Sequence, residues 1–155
     1  MATRTENGFG SFTAGAAIAQ FLRVKLTSGK LAVAGIADHE IGVIDAEAFA
    51  DLDVRPVRLR TAPGTQIMVA NQAITQYAPI YSAASGKVSD VVAGAMIGFA
   101  LEASAADGDE LECIYMPNAA VAAVHLIDPT DLPTCITRIA GILNILEGNG
   151  SMLAA

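Results

Sequence analysis

The residues of this chain that could do chemistry are few and scattered. Its two histidines, His39 and His125, have no Cys, Asp or Glu at metal-ligand spacing. Asp38-His39-Glu40 sets an imidazole between two acids, but adjacent strand residues point to opposite faces, so the three cannot converge. A loop before Ile41 is the simpler reading. Ser28-Gly29-Lys30 and Ser85-Gly86-Lys87 are like the end of a phosphate loop. Both lack the upstream glycine and the following Ser or Thr, and strands flank them, so they read as hairpin turns. Asp107-Gly108-Asp109-Glu110 lacks the spacing and terminal Glu of a calcium loop and reads as a β-turn. Cys113 and Cys135 have no ligand spacing and read as small buried hydrophobes in a reducing compartment. No nucleophile–base pair can be named. No catalytic, cofactor or metal residue is therefore assigned, and a non-enzymatic protein is expected.

The elements that would position such residues are more informative. One phrase occurs twice, at about 21–59 and 79–116. Gly29-Lys30 matches Gly86-Lys87, Ile41-Gly42 matches Ile97-Gly98 and Asp53 matches Asp109, at offsets of 57, 56 and 56 residues. Leu22 to Leu26 and Val54 to Arg60 alternate with the period of half-buried strands. Pro56 would confine its strand to an edge or a bulge, because proline cannot donate to a ladder. Many short strands between frequent turns predict a mainly β fold over residues 16–118, a small barrel or sandwich whose two copies pack as pseudo-symmetric halves.

Residues 1–15, rich in Gly, Thr, Ser and Asn, read as an extended N-terminal arm with Phe9 and Phe12 as anchors. Residues 119–131 read as a connector, 132–147 as a C-terminal α-helix and 148–155 as a tail. Leu132, Ile136, Ile139, Leu143 and Leu146 fall at 4-3-4-3 spacing, a coiled-coil seam. That face packs either on the β domain or on other copies about a symmetry axis.

Composition excludes some partners. Of 155 residues 53% are hydrophobic, but many of these are alanine, so the core is built of small side chains. The net charge of −7 and the scattered nine basic residues argue against nucleic acid, which needs a basic stripe. Arg55, Arg58 and Arg60 read as a solvated strand face or a protein contact. Aromatics are 5% with no Trp, too few for a stacking platform. No 18-residue apolar run is present to span a membrane, and Met1 to Gly8 shows no leader pattern.

The doubled pattern Gly-Lys, Ile-Gly and Asp resembles the capsid decoration (cement) proteins of tailed bacteriophages, with the likeness running from about residue 16 to 155. The resemblance implies a small, all-β, non-enzymatic virion protein without a cofactor. It would form a homotrimer on the outer capsid surface, assemble in the host cytoplasm, and bridge major capsid subunits to stabilise the head. The 132–147 seam would then be the trimer interface, and Phe9 and Phe12 a capsid-binding arm. The alternative is a host- or glycan-binding module of a phage head fibre or tail.

Overall fold

A computed structural model describes residues 8–116. The connector, the helix and its seam residues Leu132, Ile136, Ile139, Leu143 and Leu146 lie outside the described residues.

Ten strands follow in order: β1 (Phe9–Thr13), β2 (Arg23–Thr27), β3 (Lys30–Val33), β4 (Gly42–Ile44), β5 (Val54–Leu59), β6 (Thr65–Val69), β7 (Pro79–Ser82), β8 (Val88–Ser89), β9 (Met96–Ala100) and β10 (Glu110–Tyr115). They form two antiparallel sheets of five, β1-β5-β4-β2-β3 and β6-β10-β9-β7-β8. The second order is the first with five added to each strand, so each copy of the repeated phrase folds into its own sheet. Each sheet curls until its outer strands meet at one bridge, Ala14–Leu31 in the first and Ala70–Val88 in the second. Neither closes as a barrel.

The structure moves the repeat boundary. The duplicated unit runs from 9 to 59 and from 65 to 115, because β1 pairs with β5 as β6 pairs with β10. The segment read as an arm is therefore, from Phe9 on, the first strand of repeat 1. Its main-chain groups bond to β5 along a five-residue register from Phe9–Arg58 to Thr13–Val54. Phe12 packs against the core, and Phe9 lies half exposed beneath the Arg58 guanidinium, 5.3 Å from its ring centre. Sequence reading missed this strand because Phe9-Gly-Ser-Phe-Thr has no apolar/polar alternation.

The duplication reaches backbone detail. Among the described residues, the ten with positive φ fall into five matched pairs: Gly8/Gly64, Phe21/Tyr77, Ser28/Ser85, Gly29/Gly86 and Leu52/Gly108. Ser28-Gly29 joins β2 to β3, both residues left-handed, as a two-residue hairpin of matching twist requires. Gly42 and Gly98 answer to a different demand. A Cβ on them would lie 2.0 Å from Arg58 O and 1.8 Å from Ile114 O, so the neighbouring strand excludes any side chain.

Pro56 is a second correction. Its strand β5 lies between β1 and β4, not at an edge. A strand residue's N–H and C=O point to the same neighbour, and the Pro56 carbonyl accepts from Asp45 N at 2.9 Å, just beyond the end of β4. The proline's missing donor thus faces Asp45, whose carbonyl accepts Gln20 Nε2 at 2.7 Å instead. The side chain replaces the ladder bond.

Each sheet has its own buried cluster. Ala14, Ile18, Val24, Leu31, Ile44, Ala48 and Val57 fill the first. Met68, Ile74, Ile80, Val88, Ile97, Leu111, Cys113 and Tyr115 dominate the second. Val43 of repeat 1 faces away from its own cluster and is buried in the second.

Candidate functional site

The polar residues that recur in both copies hold turns. Asp53 Oδ2 accepts from Phe49 N (2.8 Å) and Ala50 N (3.3 Å), and Asp109 Oδ2 from Ala105 N (2.8 Å) and Ala106 N (2.9 Å). Lys30 reaches Asp51 and Lys87 reaches Asp107, both at 2.7 Å. Gln20 caps the Asp45 carbonyl and Gln76 that of Leu101. Residues kept at a fixed offset therefore serve the fold. Among the described residues, no group of three His, Cys, Asp or Glu is placed to hold a metal ion.

The residues that differ between copies gather where the repeats meet. Arg23 is fully buried. Its Nη2 donates to Ala83 O (2.6 Å), its Nε to Lys87 O (3.1 Å) and its Nη1 to Glu40 Oε2 (3.2 Å). Two of these acceptors belong to repeat 2, so one side chain spans the junction. The Tyr115 hydroxyl donates to Glu40 Oε1. Arg60 Nη1 stands 3.7 Å from that oxygen, its guanidinium 5.3 Å from the Tyr115 ring centre. Burial pulls the Arg23 pKa down, and Glu40 pulls against it. Burial, then Glu40, drives the Tyr115 phenol well above the ordinary tyrosine range. Asp38, half-buried beside this clasp, accepts from Lys25 Nζ (2.7 Å) and Gly35 N (2.6 Å), which hold its carboxyl below the usual range. The Asp38-His39-Glu40 run is thus a loop whose two acids serve different partners, as the alternation argument required.

A cleft of about 470 Å³ is lined by residues of both repeats. Asp45 and Arg58 of repeat 1 and Glu102, Glu110 and Glu112 of repeat 2 line it, with Gln66 among them. Gln66 is 2% exposed. Its Nε2 donates to Leu59 O at 3.1 Å, while its Oε1 and the Arg58 Nε have no partner. The Thr65 hydroxyl donates to Glu112. Four carboxylates against one arginine suit a cationic group better than an anion.

Sequence reading placed Phe9 and Phe12 at the functional site. The structure seats both in β1, Phe9 against Arg58 of the cleft lining and Phe12 against the first cluster. Sequence patterning did not single out Arg23, Glu40, Tyr115 or Gln66. A signal existed for Arg23: at the matched position repeat 2 carries Pro79, the sharpest difference of residue type between the copies.

No protein-family model matches the chain, and no curated protein sequence does. A likeness is found in structure. The fold is similar to the crystal structure of the N base of the head fibre protein gp8.5 of bacteriophage phi29, with a TM-score of 0.57 and 14% identity over 70% of this chain and 95% of that one. At that identity, what the two chains share is a fold.

Proposed function

We propose that this chain is a non-enzymatic structural protein of a phage virion that sits on the outer capsid surface and stabilises the head by bridging major capsid subunits. The observation that carries the reading is the fold shared with a phage head-fibre base. The use of the polar side chains supports it, because those that recur are spent on turns and those that differ between the copies on the junction. A clamp across subunit boundaries stabilises a shell by linkage, since it binds the assembled form. Many copies make a weak individual contact sufficient. The cleft's carboxylates offer a natural seat for a basic loop of the capsid partner.

Heads prepared with and without the protein test this. Heads that lack it should release DNA at a lower temperature and under milder osmotic shock, and purified protein should restore them. Equal survival of the two would refute the bridging role. The likeness to a head fibre also favours a second reading, a fibre base that presents a host- or glycan-binding segment. Host-cell adsorption unchanged by loss of the protein would rule out that reading.

A further inference from the structure

We infer that copies of this chain associate head to tail. The β2–β3 tip of one copy docks on the outer face of the second sheet of the next, by the geometry that joins the two repeats within one chain. The proposal stands independently of the capsid reading.

Inside the chain, repeat 2 inserts its β7–β8 turn against the outer face of sheet 1. Ser82 and Ala83 are 1% and 2% exposed. Gly86 N donates to Ala34 O at 2.8 Å, and a Cβ on Gly86 would stand 3.1 Å from the Leu22 Cβ. The receiving face presents Arg23 and Val43, both buried.

The same two surfaces recur, unused, at the other ends. In repeat 1 the matching turn is bare: Leu26 is 44% exposed, and Thr27, Ser28 and Gly29 are exposed too. In repeat 2 the matching face is open. Pro79 and Phe99 replace Arg23 and Val43, Ile114 replaces Arg58, and all three are exposed. Terminal units of repeat proteins ordinarily carry a polar outer face. Here the part of the outer face around Pro79, Phe99, Ile114 and Met116 is apolar, beyond Glu110 and Glu112 on the same strand side, and contiguous exposed apolar patches mark interaction sites.

The substitutions are concerted. The intrachain clasp Arg23, Glu40, Arg60 and Tyr115 maps onto Pro79, Met96, Met116 and Leu59. Ser82, whose hydroxyl donates to Ile36 O in the β3–β4 loop, maps onto Leu26. The corresponding β8–β9 loop carries Val91 and Val92, both exposed. Every polar member of the covered junction is thus apolar in the uncovered one, on the tip and on the face together. A second copy supplies both complementary halves. The contact is heterologous, so it closes into a ring or extends, according to the rotation per step.

The test uses the full chain with Cys135→Ser. Gly29→Cys and Ala78→Cys place thiols at the positions that match Gly86 and Leu22, within disulfide reach. Mixed and oxidised, the two variants should give a heterodimer, whereas neither gives a dimer alone. A heterodimer absent from the mixture, or dimers of each variant alone, would overturn the proposal. The unaltered chain supplies a second measurement that does not depend on how the variants fold. Hydroxyl-radical footprinting between 1 and 100 µM should show Leu26, Phe99 and Met116 becoming protected together, at least threefold. Labelling independent of concentration would overturn the proposal, and protection of Phe99 and Met116 already complete at 1 µM would assign their cover to residues 117–155 instead.

Discussion

Glu40→Gln isolates the charge at the junction between the repeats. The substitution keeps the shape of the side chain and removes the charge that Arg23 faces at 3.2 Å. The Tyr115 hydroxyl keeps an oxygen to donate to, and Arg60, about a quarter exposed, can turn to water. Arg23 has no such recourse, being fully buried with burial already lowering its pKa. The cost is that of one uncompensated buried charge, about 3–5 kcal/mol. For a domain of this size each kcal/mol lowers Tm by about 4 °C, so a fall of roughly 12–20 °C is expected. Arg23→Met costs a comparable amount, because the carbonyls of Ala83 and Lys87 lose their donor. The double variant should cost less than the two together by about 0.5–3 kcal/mol. Calorimetry and urea unfolding at constant m provide the readout. A Glu40→Gln protein within about 1 kcal/mol of the parent, or strict additivity in the double variant, would refute the coupling.

Further outcomes follow from other sites. Gly42→Ala and Gly98→Ala should each destabilise by about 3 kcal/mol through collision with a backbone carbonyl. Gly29→Ala should cost only about 1–2 kcal/mol, since its φ of +78° meets open space; equal urea midpoints for the three variants would contradict the collision. Asp53→Ala and Asp109→Ala should each cost about 1–2 kcal/mol by freeing two turn amides, read as a lower unfolding midpoint. Deleting residues 2–14 removes β1 and should lower Tm by more than 10 °C; an unchanged melt would show that β1 adds nothing to the sheet. At high pH, Cys113, pushed up to about 12 by burial, and Tyr115, pushed up further, stay protonated in the folded chain. The unfolded chain loses those protons from about pH 9 and 10, so it binds fewer protons and stability must fall as pH rises above 9. Tyr115→Phe should flatten that fall, and an unaltered slope would count against the phenol's part in it.

The repeat was legible because its markers are geometric necessities. Gly42 and Gly98 sit where a strand passes too close for a side chain, and Asp53 and Asp109 tie identical turns, so drift at these positions costs stability. The first strands were not legible, because Phe9-Gly-Ser-Phe-Thr and Thr65-Gln-Ile-Met-Val share a partner geometry but no residues. The segments just after them do repeat. Ala14, Ile18 and Gln20 recur as Ala70, Ile74 and Gln76 at an offset of 56, enough to have moved the boundary back. Pro56 misled because an edge was inferred from a missing donor, and the Gln20 side chain that fills the gap lies 36 positions away. Glu40 was hidden for a related reason. Its loop has the polarity of a solvated turn, and the groups that bury it, Arg23 and Tyr115, come from 17 and 75 residues off.

A chain that carries one fold twice must also sort ten strands into two sheets. β1 and β6 are each five residues long and each closes a loop of some forty residues to reach its partner. By backbone alone they could trade places, β1 on β10 and β6 on β5. Their side chains set the choice. Correct pairing puts Phe9 opposite Arg58, ring under guanidinium, and gives the Thr65 hydroxyl the Glu112 carboxylate. The exchange would set Phe9 opposite Ile114 and leave Thr65 facing Arg58, losing both contacts. The divergence that hid these strands from sequence comparison is therefore what lets the nascent chain tell them apart, and making β6 a copy of β1 should slow refolding through mispaired intermediates even where every final contact is preserved.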